Sequence, residues 1–232
     1  MMKSHAESTL FSYSIPRFGC AGAGLILLGS VIAAIAYRGT AGEVYSPLNH
    51  FISELGDVGV SRLAWVFNTM LIAGALCLTV FLTGLSRVMT GKTGRLFLVL
   101  GLITGLSAGL VGVFSMNHFS IHVVVAQIFF YSAMVATAYF SIWAFSSTSA
   151  MIGRWISAVG LLPLACLTGF LFLTKSIVSS GCGLGIPENF QRPAVWAKPL
   201  LEWTVLISVL IWVLSVSTTL IRMRRGVSPD KA

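Results

Sequence analysis

The stretch LAWVFNTMLIAGALCLTVFLTGL, Leu63–Leu85, runs without a single charged side chain. A hydrocarbon core about 30 Å thick is crossed by an α-helix of roughly 20 apolar residues. Leu63–Leu85 is long enough, and its polar members (Asn68, Thr69, Thr79, Thr83) are uncharged. A helix apolar on all sides fits a membrane span. Five more runs of the same kind follow outward from it: Phe18–Tyr37, Leu96–Met116, Ile121–Phe145, Trp155–Thr174 and Leu200–Ile221. The expected fold is therefore all-α: a polytopic bundle of six transmembrane helices, filling residues 1–232 as a single transmembrane domain.

Composition agrees. Hydrophobic residues make up 56% of the chain and charged ones 9%, whereas a soluble domain carries about a quarter charged residues. The net charge of +8 does not indicate nucleic acid, because the basic residues sit at helix ends rather than on one face. Span one could alternatively be a signal sequence, with Ala34-Ile35-Ala36 as a small-residue cleavage site. Its apolar run is longer than such segments use, so it is read as a retained helix. Of the four cysteines, Cys20, Cys77 and Cys166 fall in spans and Cys182 in a loop, which gives no disulfide framework.

Basic residues set the expected orientation. Lys3, Arg17, Arg87, Lys92, Arg95, Arg154, Arg222, Arg224, Arg225 and Lys231 share the side of the termini. Arg38, Arg62, Lys175, Arg192 and Lys198 lie on the other. The two-to-one bias places both termini in the cytoplasm of a multi-pass protein of the cell membrane. Glu43, Glu54, Asp57, Glu188, Glu202, His50, His118 and His122 then collect on the outer side, where any chemistry would sit.

The first outer loop, Tyr45-Ser46-Pro47-Leu48-Asn49-His50-Phe51-Ile52-Ser53-Glu54-Leu55-Gly56-Asp57, is the most informative. Ser46 suits an N-cap and Pro47 a first helical turn. At about 100° per residue, a helix would gather His50, Ser53, Glu54 and Asp57 on one side. Phe51, Ile52, Leu55 and Val58 would fall on the other. This predicts a short amphipathic helix at the surface or capping the bundle, whose polar face either meets water or does chemistry. At the start of span four, His118 and His122 are four apart, as the two histidines of a helical metal site are. If Asn117 caps that helix both are helical; if Ser120 does, His118 is in the loop.

Other features read more simply. Gly101, Gly105 and Gly109 form a smooth stripe for close helix packing, or for a homodimer. Glu188 and Arg192 are spaced to pair. Glu202, just inside span six, either snorkels outward or pairs with Lys198. Trp196 and Trp203 suit an interfacial belt, and Asn68 and Gln127 interhelical hydrogen bonds.

Tyr45-Ser46-Pro47, Ile52-Ser53-Glu54-Leu55-Gly56, Gly112-Val113-Phe114 and His122 together resemble the signature of the DUF998 family. The resemblance runs from about Gly24 to Leu220. It implies a six-helix membrane protein, with distant similarity to the Frag1/DRAM/Sfk1 proteins, and supplies no reaction. Where the family tends to read Gly-x-x-Glu-Arg in the last outer loop, this chain has Gly185-Ile186-Pro187-Glu188-Asn189, which puts the role of Arg192 in doubt. Ser46…His50, Asp57 and His118…His122 also resemble, by residue type, the pattern of alkaline ceramidase-like membrane hydrolases.

Three functions stay open. The first is a protein that binds a lipid or small molecule in a polar outward vestibule, for there is no GxSxG elbow, Walker loop, HExxH or GxGxxG. The second is a hydrolase of a lipid amide or ester. Its zinc would be held by His50, His118 and His122, with Glu54 or Asp57 as base and Ser46 or Ser53 at the oxyanion. The third is a proton-coupled transporter, disfavoured by the lack of a charge near mid-membrane.

Overall fold

The computed structural model describes residues 2–89, 91–146, 154–178 and 192–226. Six long helices follow in order: α1 (Met2–Ala36), α2 (Ala64–Leu85), α3 (Gly91–Val113), α4 (Phe119–Ser146), α5 (Trp155–Val178) and α6 (Ala197–Gly226). Each contains a span long and apolar enough to cross a membrane. Among the described residues there is no β-strand. The spans match those read from the sequence, with shifts at the ends. Helix α3 starts five residues early, at Gly91, because Lys92 and Arg95 continue the helix into the polar boundary.

Each helix packs against its sequence neighbours, and α6 closes back on α1. The result is a ring of six helices, with the start of α1 and the end of α6 at one end and the segments after α1, after α3 and just before α6 at the other, here called the far end. Large apolar side chains point outward, among them Ile35, Trp65, Ile142, Phe145 and Phe172. Small ones point inward, including Ala33, Ala75, Ala133 and Ala144. Lipid is as apolar as the interior, so hydrophobicity alone does not sort the two faces, and rings such as Phe81, Phe97 and Phe140 are buried beside the small residues.

Glycines bring α2 close to both of its neighbours. A Cβ on Gly22 would lie 2.8 Å from the Gly74 carbonyl, and one on Gly74 3.0 Å from that of Gly22. On the other side, a Cβ at Gly105 would stand 2.9 Å from the Thr79 Cα, and one at Gly101 3.0 Å from the Leu82 Cβ. The span-three stripe is therefore committed to packing on α2 of the same chain. The Gly22–Gly74 crossing carries no repeat that would announce it in the sequence.

Two apolar clusters close the ends of the ring. Phe81, Phe97, Phe140 and Trp212 pack at the terminal end. Tyr37, Leu55, Phe67 and Trp203 pack at the far end. A third, with Leu167, Phe170 and Val205, fixes α5 against α4 and α6.

Candidate functional site

The loop after α1 lies over the far end, and its sequence explains its shape. Ser46 acts as the expected cap: its Oγ accepts the Leu48 N–H at 3.3 Å, and its carbonyl accepts the Asn49 and His50 N–H groups at 3.1 and 2.9 Å. One turn forms and then stops. Phe51 is extended (φ −67°, ψ 149°), and a 3-10 helix occupies Ile52–Gly56. The break follows from Glu54, whose Oε1 reaches back to accept the Phe51 N–H at 2.8 Å. The continuous helix expected over Pro47–Asp57 is thus two short turns, and the residues do not sort onto one polar face. His50 and Glu54 are buried, Ser53 is half-buried and Asp57 ends the 3-10 turn.

This loop is tied to every neighbour at the far end. Arg192, before α6, grips the Glu54 carboxylate with both terminal nitrogens, Nη1 on Oε1 at 3.1 Å and Nη2 on Oε2 at 2.6 Å. Nη1 also donates to the Asn49 carbonyl at 3.0 Å. Asn49 Nδ2 donates to the Pro193 carbonyl at 3.0 Å, and the Trp196 N–H to that of Leu48 at 2.8 Å. The Trp203 indole donates to the Tyr45 oxygen at 2.9 Å, while the Tyr45 hydroxyl donates to the Phe51 carbonyl at 3.0 Å. Asn117 exchanges two bonds of 2.8 Å with the backbone of Val58. The first outer loop and the start of α4 therefore do meet, through Asn117 rather than through histidine.

His50 sits among the rings of Tyr37 and Tyr45, with centroids 5.5 and 5.2 Å away. Its Nδ1 lies 2.7 Å from Asn49 Oδ1 and 3.3 Å from the Ser46 N–H. Whichever nitrogen carries the hydrogen, Nε2 is buried with no hydrogen-bond partner among the described residues. Burial holds the His50 pKa below its ordinary value, against the opposite pull of Glu54. Burial, then the Glu54 charge, push the Tyr37 phenol and the Asp57 carboxyl up. Tyr45 is raised by burial and by Glu202. For Arg192, burial acts to lower the pKa, but the Glu54 hydrogen bond and charge outweigh it, and the guanidinium ends above its ordinary value.

His118 and His122 do not share a helix face. His118 belongs to a 3-10 turn (Met116–His118) before α4 and is exposed. His122 is buried within α4, with Nδ1 2.7 Å from the Phe114 carbonyl. Among the described residues no three His, Cys, Asp or Glu side chains gather as a metal site would require. The zinc centre expected at His50, His118 and His122 is not assembled, because Phe114, Asn49 and the Tyr37–Tyr45 pair engage the two buried rings separately. Asn68 also departs from expectation: its Nδ2 donates to the Gly56 carbonyl at 3.0 Å, fastening the loop rather than another span. Glu188 and Cys182 lie outside the described residues.

Beneath the loop the ring encloses a cavity, with about 140 Å³ open to the centre of a water molecule. Its lining runs from Phe67 to Leu82 along α2 and from His122 to Thr137 along α4, roughly 22 Å of helix rise on each. Leu71, Ala108, Phe129, Val205 and Trp212 are among its apolar walls. At the far end the lining becomes polar, with Ser53, Asn68, Ser115, His122 and Glu202. Glu202 neither snorkels nor pairs with Lys198. Its Oε2 accepts the Ile52 N–H at 2.7 Å, and Arg192–Glu54 is the one ion pair found among the described residues.

The model of a family described as a protein of unknown function (DUF998) matches residues 20–219. The chain belongs to the DUF998 family. No curated protein and no solved structure matches it. In this DUF998 protein the segments that carried the resemblance fall together: Tyr45–Gly56 covers the far end, and Gly112–Phe114 supplies the carbonyl that holds His122. Sequence reasoning missed the Glu54–Arg192 pair and the inward turn of Glu202. Their only signal was a charge near a span boundary, and that does not say which loop will lie above it.

Proposed function

We propose that this DUF998 protein binds an amphiphile, a lipid or an amphipathic small molecule, in the central cavity. The supporting observation is the lining: mostly apolar along roughly four turns of helix, with Thr104 and Thr137 as isolated hydroxyls, and most polar beneath the loop. Binding sites of this kind are mostly apolar with a few placed polar groups that fix orientation. An alkyl chain along the axis would meet mainly carbon, while a head group would reach Ser53, Asn68, His122 and Glu202. The excess of basic residues at the terminal end supports placing both termini in the cytoplasm of the cell membrane, so that the polar mouth faces outward.

The test uses the full chain in nanodiscs and a long-chain alcohol brominated at its tail, since bromine quenches indole fluorescence. Trp212 lines the inner half of the cavity. Saturable quenching is expected in the wild type, greatly reduced in Ala108→Phe, which fills the cavity, and in Trp212→Phe. Equal quenching in the wild type and Ala108→Phe would mean that the probe reports only membrane partitioning, and the reading would fall.

A further inference from the structure

The polar mouth of the cavity holds one carboxylate, Glu202, among neutral groups, and the Ser53 hydroxyl there can donate or accept. A backbone carbonyl can only accept, so the 2.7 Å contact to the Phe114 oxygen places the hydrogen of His122 on Nδ1. Asn68 has one amide N–H on the Gly56 carbonyl, and its Oδ1 packs against Gly56. Glu202 uses Oε2 for the Ile52 N–H, and Oε1 has no partner among the described residues. The Ser115 hydroxyl donates to Asn117 Oδ1 at 2.9 Å, so its own oxygen is left to accept.

No Lys or Arg lines the cavity among the described residues. The nearby guanidinium of Arg192 is taken by Glu54 and the Asn49 carbonyl. A carboxylate held away from water without a cation is costly. A protonated amine would answer this carboxylate, because an ammonium carries three donors and no acceptor. A phosphate or carboxylate head would meet the Glu202 carboxylate with no cation of the lining to balance it.

We infer that the amphiphile taken by this cavity carries a cationic amine head, seated against the Glu202 carboxylate. This rests on the amphiphile-binding reading and adds the chemical class of the head group. Lipids with an anionic phosphate and no amine are excluded at this site; long-chain amines are selected.

Three probes of equal chain length, each brominated at the tail, separate the possibilities: a primary alkylamine, the alcohol and the carboxylate. In wild-type nanodiscs at neutral pH the amine is expected to quench Trp212 at about tenfold or more lower concentration than the alcohol, as a charge-assisted hydrogen bond implies. The carboxylate should be weakest. In Glu202→Gln the amine should bind no better than the alcohol does in that same variant, and a cooperative melting transition in nanodiscs shows that the variant is folded. A carboxylate as tight as the amine, or a full amine preference in Glu202→Gln, overturns the assignment. Should Glu202→Gln not fold, the wild-type order of the three probes decides alone. If the alcohol itself fails to quench, it is the amphiphile-binding reading that is lost; if the alcohol binds and the amine gains nothing, only the head group is wrong.

Discussion

Glu54 and Arg192 stand 138 residues apart in the chain, and their side chains meet in a two-point pair at 3.1 and 2.6 Å. The carboxylate is 7% exposed and the guanidinium 20%. The pair locks the loop after α1 to the segment entering α6. Glu54 also holds the Phe51 N–H, so the two halves are not equivalent.

Removing either partner strands a charge. The expected loss for Arg192→Ala is roughly 1–3 kcal/mol, between that of an exposed pair and that of a buried one. Glu54→Ala should cost more, because the Phe51 N–H loses its acceptor as well. The double variant should be less destabilised than the sum of the two. Thermal unfolding of the four proteins in one detergent checks this, and strict additivity would contradict a direct pair. Arg192→Lys should recover only part of the loss, since lysine lacks the two-point fork.

The buried imidazole of His50 gives a pH dependence of definite sign. Its folded pKa lies below the ordinary 6.5, so in that window the unfolded chain binds a proton that the folded one refuses. Stability then rises with pH, and is lost as pH falls below about 6.5 toward the folded value. Asp57 works in the opposite sense in a lower range: its folded pKa is raised above 3.8, so its share declines as pH rises through that interval. Melting midpoints from pH 8 to 5 should fall for the wild type and fall less for His50→Gln. Identical slopes would remove His50 as the cause.

The glycine contacts on α2 differ in tightness, and substitution should rank them. A Cβ at Gly105 would press on the Thr79 backbone at 2.9 Å, whereas one at Gly109 would make ordinary contact with Ala75 at 3.7 Å. Gly105→Ala is expected to cost about 1–3 kcal/mol through forced separation of α2 and α3. Gly109→Ala should stay within about 0.5 kcal/mol. The melting midpoints, with Leu106→Ala on the exposed side as a control, would read the difference.

Orientation can be fixed with reporter fusions. A fluorescent protein at the C-terminus should mature, and an export-dependent phosphatase at the same position should stay inactive. In the loop between α3 and α4 the phosphatase should become active. The reverse pattern would turn the bundle over and place the polar mouth inside the cell.

The membrane spans and the outer loop were not equally legible in the sequence. Leu63–Leu85 and its five counterparts needed no partner to be read, because the transfer of a side chain into hydrocarbon is a local quantity that adds along the chain. The Ser46 cap was visible for the same reason, since its bonds reach only two to four residues. The continuous helix at Pro47–Asp57 failed because Glu54 folds back on the Phe51 N–H, a choice that periodicity does not contain. His118 and His122 shared a spacing, but a helix start at Phe119 puts them on different elements.

By itself, then, the sequence determined that six apolar helices cross a membrane, and that acidic residues and histidines collect at one end. Only the tertiary structure decided that Glu54 belongs to Arg192, that Glu202 turns inward to Ile52 and the cavity, and that Gly101 and Gly105 pack against α2. The reason is physical. Hydrophobic transfer depends on each residue alone, whereas the partner of a charge depends on which loops closure of the ring brings within about 3 Å.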